Sequence, residues 1–349
     1  MPYLRNTWYL AAWSDEVRGD ALLARTIAEQ PLVLFRDADG GVRVLHDRCP
    51  HRFAPLSAGQ LEPGLLRCAY HGLGFGPDGA CVANPHGQIP KAARVRAFPA
   101  VDRHEAVWVW LGEPDQADPS RIPDLGFIDR AAPGARVKGH LETHAHYQLM
   151  VDNIMDLTHA DYLHRDTLGG GINTRASSQV EEADGGVVIR WEAKADTLPP
   201  VMNAQLPHPG EAGDFLNEVH WSAPGVMRQR VLFGPAGRLD DLGFDSLTAH
   251  VMTPAGPAHT HYFFCHTSDG LTRDPSMAEG IRAVLLQAFK GEDSPMLERQ
   301  QAAIGDADFW SLKPVLLSID GGAALARRRL DRMISQERGS AAQGEAQLG

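Results

Sequence analysis

Two pairs of cysteine and histidine lie close together in the first quarter of this 349-residue chain. One residue separates Cys49 from His51, two separate Cys68 from His71, and sixteen lie between the pairs. Thiolates and imidazoles are ligands of zinc, copper and iron–sulfur centres. Two neighbouring loops that each supply one thiolate and one imidazole can therefore hold a metal centre between them.

Two kinds of centre use two Cys and two His. A structural zinc binds such a set tetrahedrally, whereas in a Rieske [2Fe–2S] cluster two Cys hold one iron and two His hold the other. A zinc finger normally pairs Cys with Cys and His with His along the chain, but here each loop carries one of each. The spacing C-x-H-x₁₆-C-x-x-H, with Gly and Pro turns and Tyr70 inside the second loop, resembles the Rieske signature. We favour the cluster and keep structural zinc as the alternative.

A second group of possible ligands lies on a predicted helix between residues 149 and 164. Asp156, His159 and His164 form the pattern D-x-x-H-x₄-H. Two His and one carboxylate make up the facial triad of non-haem Fe(II) oxygenases, which leaves positions open for O₂ and substrate. Because His159 and His164 are five residues apart, the helix must end or distort between them if both contact one metal. The alternative is a polar helix face with two histidines that have protein partners.

Together the two motifs resemble the oxygenase (α) subunit of Rieske non-haem iron aromatic oxygenases. The segment from Asn153 to His164 is similar to that family's iron motif, N-x-x-D-x-x-H-x₄-H. At this chain length the similarity is to the subgroup of vanillate O-demethylase, dicamba monooxygenase and toluenesulfonate methyl-monooxygenase. The resemblance implies a Rieske cluster at the two Cys–His pairs and a mononuclear non-haem Fe(II) at His159, His164 and a later carboxylate.

The resemblance places the third iron ligand in a Glu-Asp pair on a late helix, and Glu292-Asp293 matches. Phe289, Asp293 and Leu297 are spaced by four, so an unbroken helix would turn Asp293 to its apolar side. Ser294-Pro295 follows at once, and proline removes a helical hydrogen bond. Asp293 as a cap or turn residue at a helix break is therefore the alternative.

Two further roles come from the resemblance. Asp156 is expected to hydrogen-bond His159 and, across a subunit interface, His71 of the partner subunit, so that electrons pass between subunits. The alternative is a purely local partner of His159. Asn153 is expected to shape the iron site rather than to coordinate the metal.

Substrate contacts are expected from the middle of the chain. His250 lies on a predicted strand, Leu247–Pro254, whose alternation could turn it into a cavity, and dicamba monooxygenase has a comparable histidine that contacts the substrate. A core histidine is an equally good interpretation. Asn217 and Trp221 are weaker candidates, and Trp221 is more often a core residue.

Composition narrows the class of protein. The chain is 43% hydrophobic and 22% charged with a formal net charge of −11, which argues against a nucleic-acid binder. No window is apolar for long enough to span a membrane, and the N-terminus lacks a signal-peptide core. Cys81 and Cys265 are expected to be free thiols of a reducing compartment. We therefore expect a cytoplasmic protein that binds neither membrane nor nucleic acid.

The chain is predicted to be α+β with two domains. Residues 1–112 are expected to form an all-β Rieske [2Fe–2S] domain, and residues 112–124, rich in proline and acidic groups, a linker. Residues 125–338 are expected to form the catalytic mononuclear iron domain, an antiparallel sheet flanked by helices that the family resemblance implies is helix-grip-like. Arg327–Arg329 is interpreted as a solvated helix face, and residues 339–349 as a disordered tail.

The expected function is that of the terminal oxygenase of a multicomponent monooxygenase. With O₂ and electrons from a separate flavin/[2Fe–2S] reductase, it would hydroxylate a methoxy or methyl group of a small aromatic acid, with O-demethylation favoured. The resemblance implies a homotrimer. The alternatives are a ring hydroxylase or dioxygenase of the same family and, from a different class, a Rieske electron-transfer protein without oxygenase activity.

Overall fold

The computed structural model describes residues 3–132, 134–183 and 185–348, with side chains up to residue 340. The chain divides into two compact units. The N-terminal unit is Tyr3–Asp124 together with Thr253–Gly256, and the C-terminal unit is Leu125–Met252 together with the chain from Pro257 onwards.

The N-terminal unit is built from three antiparallel sheets, with strand orders β1-β11-β10, β2-β3-β4-β9 and β5-β6-β7-β8. Its strands are β1 (Trp8–Trp13), β2 (Leu23–Ile27), β3 (Gln30–Arg36), β4 (Val42–His46), β5 (Gln60–Glu62), β6 (Leu65–Arg67), β7 (Gly74–Phe75), β8 (Cys81–Ala83), β9 (Ala97–Phe98), β10 (Ala100–Arg103) and β11 (Ala106–Trp110).

Continuous apolar runs explain the core of this unit. Every residue of β1 and of β11 is buried, as expected for strands covered on both faces. Trp8 and Trp110 are cross-strand partners whose ring centroids lie 5.5 Å apart. The predicted linker packs onto the same unit, since Trp8 Nε1 donates to the Asp118 carbonyl (2.9 Å) and Arg121 lies over the Trp110 ring.

The C-terminal unit contains a seven-stranded antiparallel sheet of order β12-β18-β17-β16-β15-β14-β13. Its strands are β12 (Arg136–Thr143), β13 (Ser177–Ala183), β14 (Gly186–Asp196), β15 (Gly213–Ser222), β16 (Val226–Pro235), β17 (Phe244–Gly256) and β18 (His259–Ser268). Its helices are α1 (Gly126–Arg130), α2 (Tyr147–Met155), α3 (Ala160–Leu163), α4 (Ile172–Arg175), α5 (Pro200–Asn203), α6 (Leu239–Leu242), α7 (Asp269–Arg273), α8 (Ala278–Leu286), α9 (Ser294–Ile304) and α10 (Gly321–Leu348), with a π-helical segment at Gln287–Asp293. The predicted α+β class, with a β domain followed by an antiparallel sheet and helices, is confirmed.

Helix α10 is held by an ion pair whose arginine is buried, which corrects the interpretation of Arg327–Arg329 as a solvated face. Arg327 is 4% exposed. Its Nε donates to both carboxylate oxygens of Asp152 on α2 (2.9 and 2.8 Å), and its Nη1 donates to Gln148 (2.9 Å). Arg329 pairs with Glu182 on β13 (2.6 Å), whereas Arg328 is exposed. The three arginines therefore face different surroundings, because successive helical residues point in different directions.

The segment 339–349, for which the sequence predicts a disordered tail, instead continues α10 as far as Leu348, while Gly349 lies outside the described residues. Three alanines and two glutamines, both good helix formers, lie there. Among the described residues, no helix combines the length and apolar character needed to cross a membrane.

Candidate metal centres and active site

The two Cys–His loops of the N-terminal unit have the same backbone conformation. Each Cys amide donates to the carbonyl five residues later (2.9 Å for Cys49, 2.8 Å for Cys68), and each Cys carbonyl accepts from the amide four residues later (2.9 and 3.1 Å). The residues at that fourth position, Phe53 and Gly72, both have positive φ, at 60° and 75°. Two matching turns therefore present one thiol and one imidazole each.

The four side chains are gathered at one place and suit a [2Fe–2S] cluster. Cys49 and Cys68 are buried, and burial, together with the neighbouring Cys68 thiol, raises the pKa of Cys49. The rings of His51 and His71 lie 4.6 Å apart. The Nδ1 atom of His71 is buried without a hydrogen-bond partner among the described residues. An unpaired buried nitrogen is costly, and binding an iron would satisfy it.

The second group of donors depends on an interrupted helix. Helix α2 ends at Met155, and Asp156 is extended (φ −133°, ψ 103°). A 3₁₀ turn carries His159, and α3 ends at Leu163 so that His164 follows as its C-cap. The required helix end between the two histidines is therefore present, and it lets both rings approach one point.

Asp293 meets the two histidines at that point. Its Oδ1 lies 3.5 Å from His159 Nε2 and 3.2 Å from His164 Nε2. One donor atom from each of the three residues lies within 4.8 Å of the other two. The structure thus brings together residues that are more than a hundred positions apart in the chain.

Further hydrogen bonds orient each of the three donor side chains. His159 Nδ1 donates to the Asp156 carbonyl (2.6 Å), and His164 Nδ1 contacts the Glu292 carboxylate. Asn153 Nδ2 donates to Asp293 Oδ1 (3.1 Å). These contacts occupy Nδ1 of both rings, so Nε2 is the nitrogen of each ring that faces Asp293 and would bind a metal, the usual arrangement around a bound metal. Two imidazoles and one carboxylate suit Fe(II) with open positions.

The proline after Asp293 does not disrupt the site. The segment Gln287–Asp293 is π-helical, and α9 then starts with Pro295 in its first turn, where the missing amide is tolerated. Phe289, Asp293 and Leu297 are all buried, as the spacing of four predicted. π-Helical turns are frequent at functional sites, and this one also directs Glu292 at His164, a contact that the sequence analysis did not anticipate.

The electrostatics of the metal-free site follow from the same contacts. Burial alone would raise the pKa of Asp293, but the hydrogen bonds and charges of His159 and His164 lower it to about 2. Burial would lower the pKa of His164, and Asp293 and Glu292 raise it instead. An ionised carboxylate between two imidazoles is a site that attracts a cation.

The contact between Asp156 and His159 differs from the one expected. His159 binds the main-chain carbonyl of Asp156, whereas the carboxylate accepts from the Thr158 amide (2.9 Å) and hydroxyl (2.8 Å). The helix ends one residue before Asp156, so its side chain caps the next turn instead of lying beside His159. Asp156 also lines a surface cavity together with Asn153, His159 and Met296.

A cavity of about 250 Å³ adjoins the three donors. His159, His164 and Asp293 are part of its wall, and most of the remainder is apolar. Other wall residues include Ile154, Leu157, Val201, Met202, Phe215, Asn217, Gln229, Val231, Phe233, Phe244, Thr248, His250, Leu285 and Phe289. Its size and lining are those of a site for a small, largely apolar molecule.

Of the three predicted substrate contacts, Asn217 and His250 line this cavity and Trp221 does not. Asn217 and Trp221 are on the same face of β15, but four residues of strand put them about 13 Å apart. Trp221 is 1% exposed and belongs to the core.

His250 is part of a hydrogen-bond chain in the cavity wall. Its Nδ1 accepts from the Tyr262 hydroxyl (2.8 Å) and its Nε2 donates to Gln229 Oε1 (2.9 Å). Gln229 Nε2 in turn donates to Asn217 Oδ1 (3.2 Å). Burial lowers the pKa of His250 to about 3, so the ring is neutral. Gln229 and Tyr262 were not anticipated, because only the register of β15 to β18 shows that they meet His250.

Comparison with known proteins agrees with this architecture. Residues 7–99 match the Rieske [2Fe-2S] domain, and residues 143–336 match the vanillate O-demethylase oxygenase C-terminal domain. The chain is 36% identical to the oxygenase component of chloroacetanilide N-alkylformylase from Rhizorhabdus wittichii (96% of this chain, 97% of the relative) and 36% identical to that of dicamba O-demethylase from Stenotrophomonas maltophilia (97% and 99%). The crystal structure of dicamba monooxygenase bound to 3,6-dichlorosalicylic acid superposes with a TM-score of 0.89 at 35% identity, covering 97% of this chain and 99% of that one.

The chain belongs to the Rieske non-haem iron oxygenases, in the subgroup that includes vanillate and dicamba O-demethylases. It is the oxygenase component of a multicomponent monooxygenase, with a Rieske [2Fe–2S] cluster and a mononuclear non-haem iron as cofactors, and it works with a separate component that supplies electrons. This excludes a structural zinc protein and a Rieske electron carrier without oxygenase activity.

Proposed function

We propose that this oxygenase hydroxylates a methoxy or methyl carbon of a small aromatic acid, with O-demethylation as its principal reaction. The cavity carries the proposal, because it has the size of a one-ring aromatic and includes all three donor residues of the C-terminal unit in its wall. The dicamba O-demethylase relative points the same way.

In this proposal, Cys49, His51, Cys68 and His71 hold the cluster, and His159, His164 and Asp293 hold the iron. When bound, the Fe(II) supplies O₂ activation with electrons delivered through the cluster. The surrounding residues keep the donors in position: the Asp156 carbonyl and Glu292 orient the imidazoles, and Asn153 orients the Asp293 carboxylate. The apolar wall excludes water from the reacting carbon.

The reaction on the substrate is a two-electron oxidation. One atom of O₂ enters a methoxy C–H bond to give a hemiacetal, and the other leaves as water with two electrons and two protons from the reductase system. The hemiacetal collapses by cleavage of its C–O bond to a phenol and formaldehyde. A methyl group would instead give a stable benzylic alcohol.

The cavity favours hydrogen bonding over ion pairing to the substrate. Among the described residues that line it, none is lysine or arginine. A carboxylate substrate would therefore bind through neutral donors, of which the amides of Asn217 and Gln229 are the best placed. The same observation favours a second candidate, N-dealkylation of an uncharged anilide, in line with the chloroacetanilide relative.

The proposal includes a cytoplasmic homotrimer that receives electrons from a flavin/[2Fe–2S] reductase. Exposed aromatic side chains, Phe53 (67%) and Tyr70 (64%), stand beside the cluster residues. Exposed apolar side chains, among them Met296 and Leu316, border the cavity that Asp156 lines. These surfaces suit contact between copies of the chain, with Asp156 facing His71 of the partner subunit.

The test is turnover with a matched reductase on a panel of methoxybenzoates, methylbenzoates, methoxybenzamides and N-methyl anilides. Formaldehyde with the corresponding phenol from a methoxybenzoate is the expected result. Formaldehyde only from the N-methyl anilides would favour the second candidate. Oxygen uptake without formaldehyde from any methoxy compound would overturn the O-demethylase assignment.

A further inference from the structure

A second group of histidines lies on the sheet of the C-terminal unit, outside the wall of the substrate cavity. His140 and Glu142 are two residues apart on the edge strand β12 and so share one face. Glu142 is directly opposite His261 of β18 in the strand register, and His140 is diagonal to it. Antiparallel register alone therefore brings two imidazoles and one carboxylate together.

Their donor atoms have the separations of a metal site. His140 Nε2 lies 3.2 Å from His261 Nδ1, and Glu142 Oε1 lies 3.9 Å from the same atom. One donor from each residue lies within 4.8 Å of the other two. These distances match those at His159, His164 and Asp293, and so does the set of two imidazoles and one carboxylate.

Neighbouring side chains hold these donors in place. The His140 ring stacks on its cross-strand partner Phe263, with centroids 4.4 Å apart and planes 11° apart. Glu142 Oε2 accepts from His259 Nε2 (3.1 Å), the kind of outer contact that orients a ligating carboxylate.

We propose that His140, Glu142 and His261 form a second metal-binding site, for a divalent transition cation of the Zn²⁺ type. Two neutral imidazoles and a carboxylate suit such a cation. Without metal, the contact between the two imidazole nitrogens requires a proton between them, and a cation would occupy that place. Glu142 is half-exposed, so water can complete the coordination. The bound cation would join the edge strand β12 to β18.

The test uses tag-free holoenzyme with its cluster and iron in place. Zn²⁺ binding is followed by isothermal titration calorimetry, and zinc and iron per chain are counted by elemental analysis after dialysis. Glu142→Gln keeps the shape of the side chain but removes its charge, and His261→Gln removes one imidazole. His220→Gln is the matched control, because His220 also contacts a carboxylate, that of Glu218 (2.7 Å), but is not one of the three proposed zinc ligands.

We expect the wild type and His220→Gln to retain one Zn²⁺ per chain without loss of iron. Glu142→Gln and His261→Gln should bind Zn²⁺ at least tenfold more weakly, and the rise in unfolding temperature caused by Zn²⁺ should disappear in both. Zinc uptake only at the expense of iron would overturn the proposal, and so would equal affinity in Glu142→Gln and His220→Gln. Because the Glu142 side chain is half-exposed, Glu142→Gln is not expected to impair folding.

Discussion

Asp293 is contacted from three directions, by His159, His164 and Asn153, while remaining buried. A buried carboxylate in a wall of apolar residues is costly unless it is paired. Its position next to two imidazoles whose other nitrogens are already bonded is best explained by a cation between them.

Replacing Asp293 with Asn should remove the mononuclear iron and leave the cluster intact. Iron per chain should fall from about three to about two, with unchanged cluster absorption and no product formed. Glu292→Gln is the control, because Glu292 contacts only Nδ1 of His164, the ring nitrogen that does not face Asp293. This variant should keep its iron, with an affinity reduced by about 10- to 100-fold. Three irons per chain in Asp293→Asn would show that Asp293 is not a ligand.

Asn153→Ala removes the amide that donates to Asp293. We expect iron to bind about 10-fold more weakly, with a larger loss of iron than of cluster during dialysis against a chelator. Asn173→Ala serves as the control, since the amide of Asn173 likewise donates to a carboxylate, that of Asp161 (3.1 Å), which is not a proposed ligand. Equal iron retention in the two variants would contradict a positioning role for Asn153.

The helices around the site are held by a few buried polar contacts. Helix α2 carries Asn153 toward the iron site, and its residues Asp152 and Gln148 accept hydrogen bonds from Arg327 of α10. The π-helical segment between α8 and α9 turns both Glu292 and Asp293 toward the histidines. Small irregularities in helices, at Met155 and at Gln287–Asp293, thus decide where the ligands point.

Breaking the ion pair between α2 and α10 should destabilise the C-terminal unit. Arg327→Ala leaves the Asp152 carboxylate unpaired, and losing one partner of a buried pair costs about 3 kcal/mol. The unfolding temperature of this unit should fall by several degrees. The neighbouring exposed Arg328→Ala should change stability by no more than about 0.5 kcal/mol, and an equal effect of both variants would contradict the assignment.

For the molecule as a whole, acid should destabilise the C-terminal unit. Burial lowers the pKa of His146 and His250 to about 3 and that of His266 to about 4, against about 6.5 in the unfolded chain. Between these values only the unfolded state binds the protons, so stability falls as the pH decreases below about 6.5. Each histidine contributes at most about 1.4 kcal/mol per pH unit. Unfolding temperatures measured from pH 8 to pH 5 should show this decline, and His146→Gln should make it shallower; an unchanged slope would contradict it.

The proposed trimer can be tested by mixing two inactive variants. Asp293→Asn lacks the iron, and Cys68→Ser lacks the cluster, so neither should turn over alone. If electrons cross between subunits, co-assembled trimers should recover up to about a quarter of the wild-type activity. Mixed trimers that form but stay inactive, while wild type mixed with Asp293→Asn keeps its activity, would exclude the cross-subunit route.

Local spacing was enough to predict much of this protein. Cys49 and His51 lie on one short turn, and Cys68 and His71 lie on another. Within each pair, the thiol and the imidazole are therefore close whatever the rest of the fold. His159 and His164 are likewise separated by a single short helix, and even the need for that helix to end between them could be stated in advance. The buried position of Asp293 followed from its spacing to Phe289 and Leu297.

Contacts between distant segments were decided only by the tertiary structure. Strand register decides the hydrogen-bond chain in the cavity wall, which runs through Tyr262, His250, Gln229 and Asn217. It also decides the group of His140, Glu142 and His261. The sequence predicts a hydrogen bond between the Asp156 side chain and His159. In the structure the main-chain carbonyl of Asp156 makes this contact instead, because helix α2 ends at Met155. Residue type and short spacing identify the four Rieske ligands and the two histidines of the iron site, whereas the fold brings Asp293 to those histidines from more than a hundred residues away. Tertiary packing determines which protein groups orient His164 and Asp293, since their hydrogen-bond partners lie more than a hundred residues away and cannot be identified from a local sequence pattern.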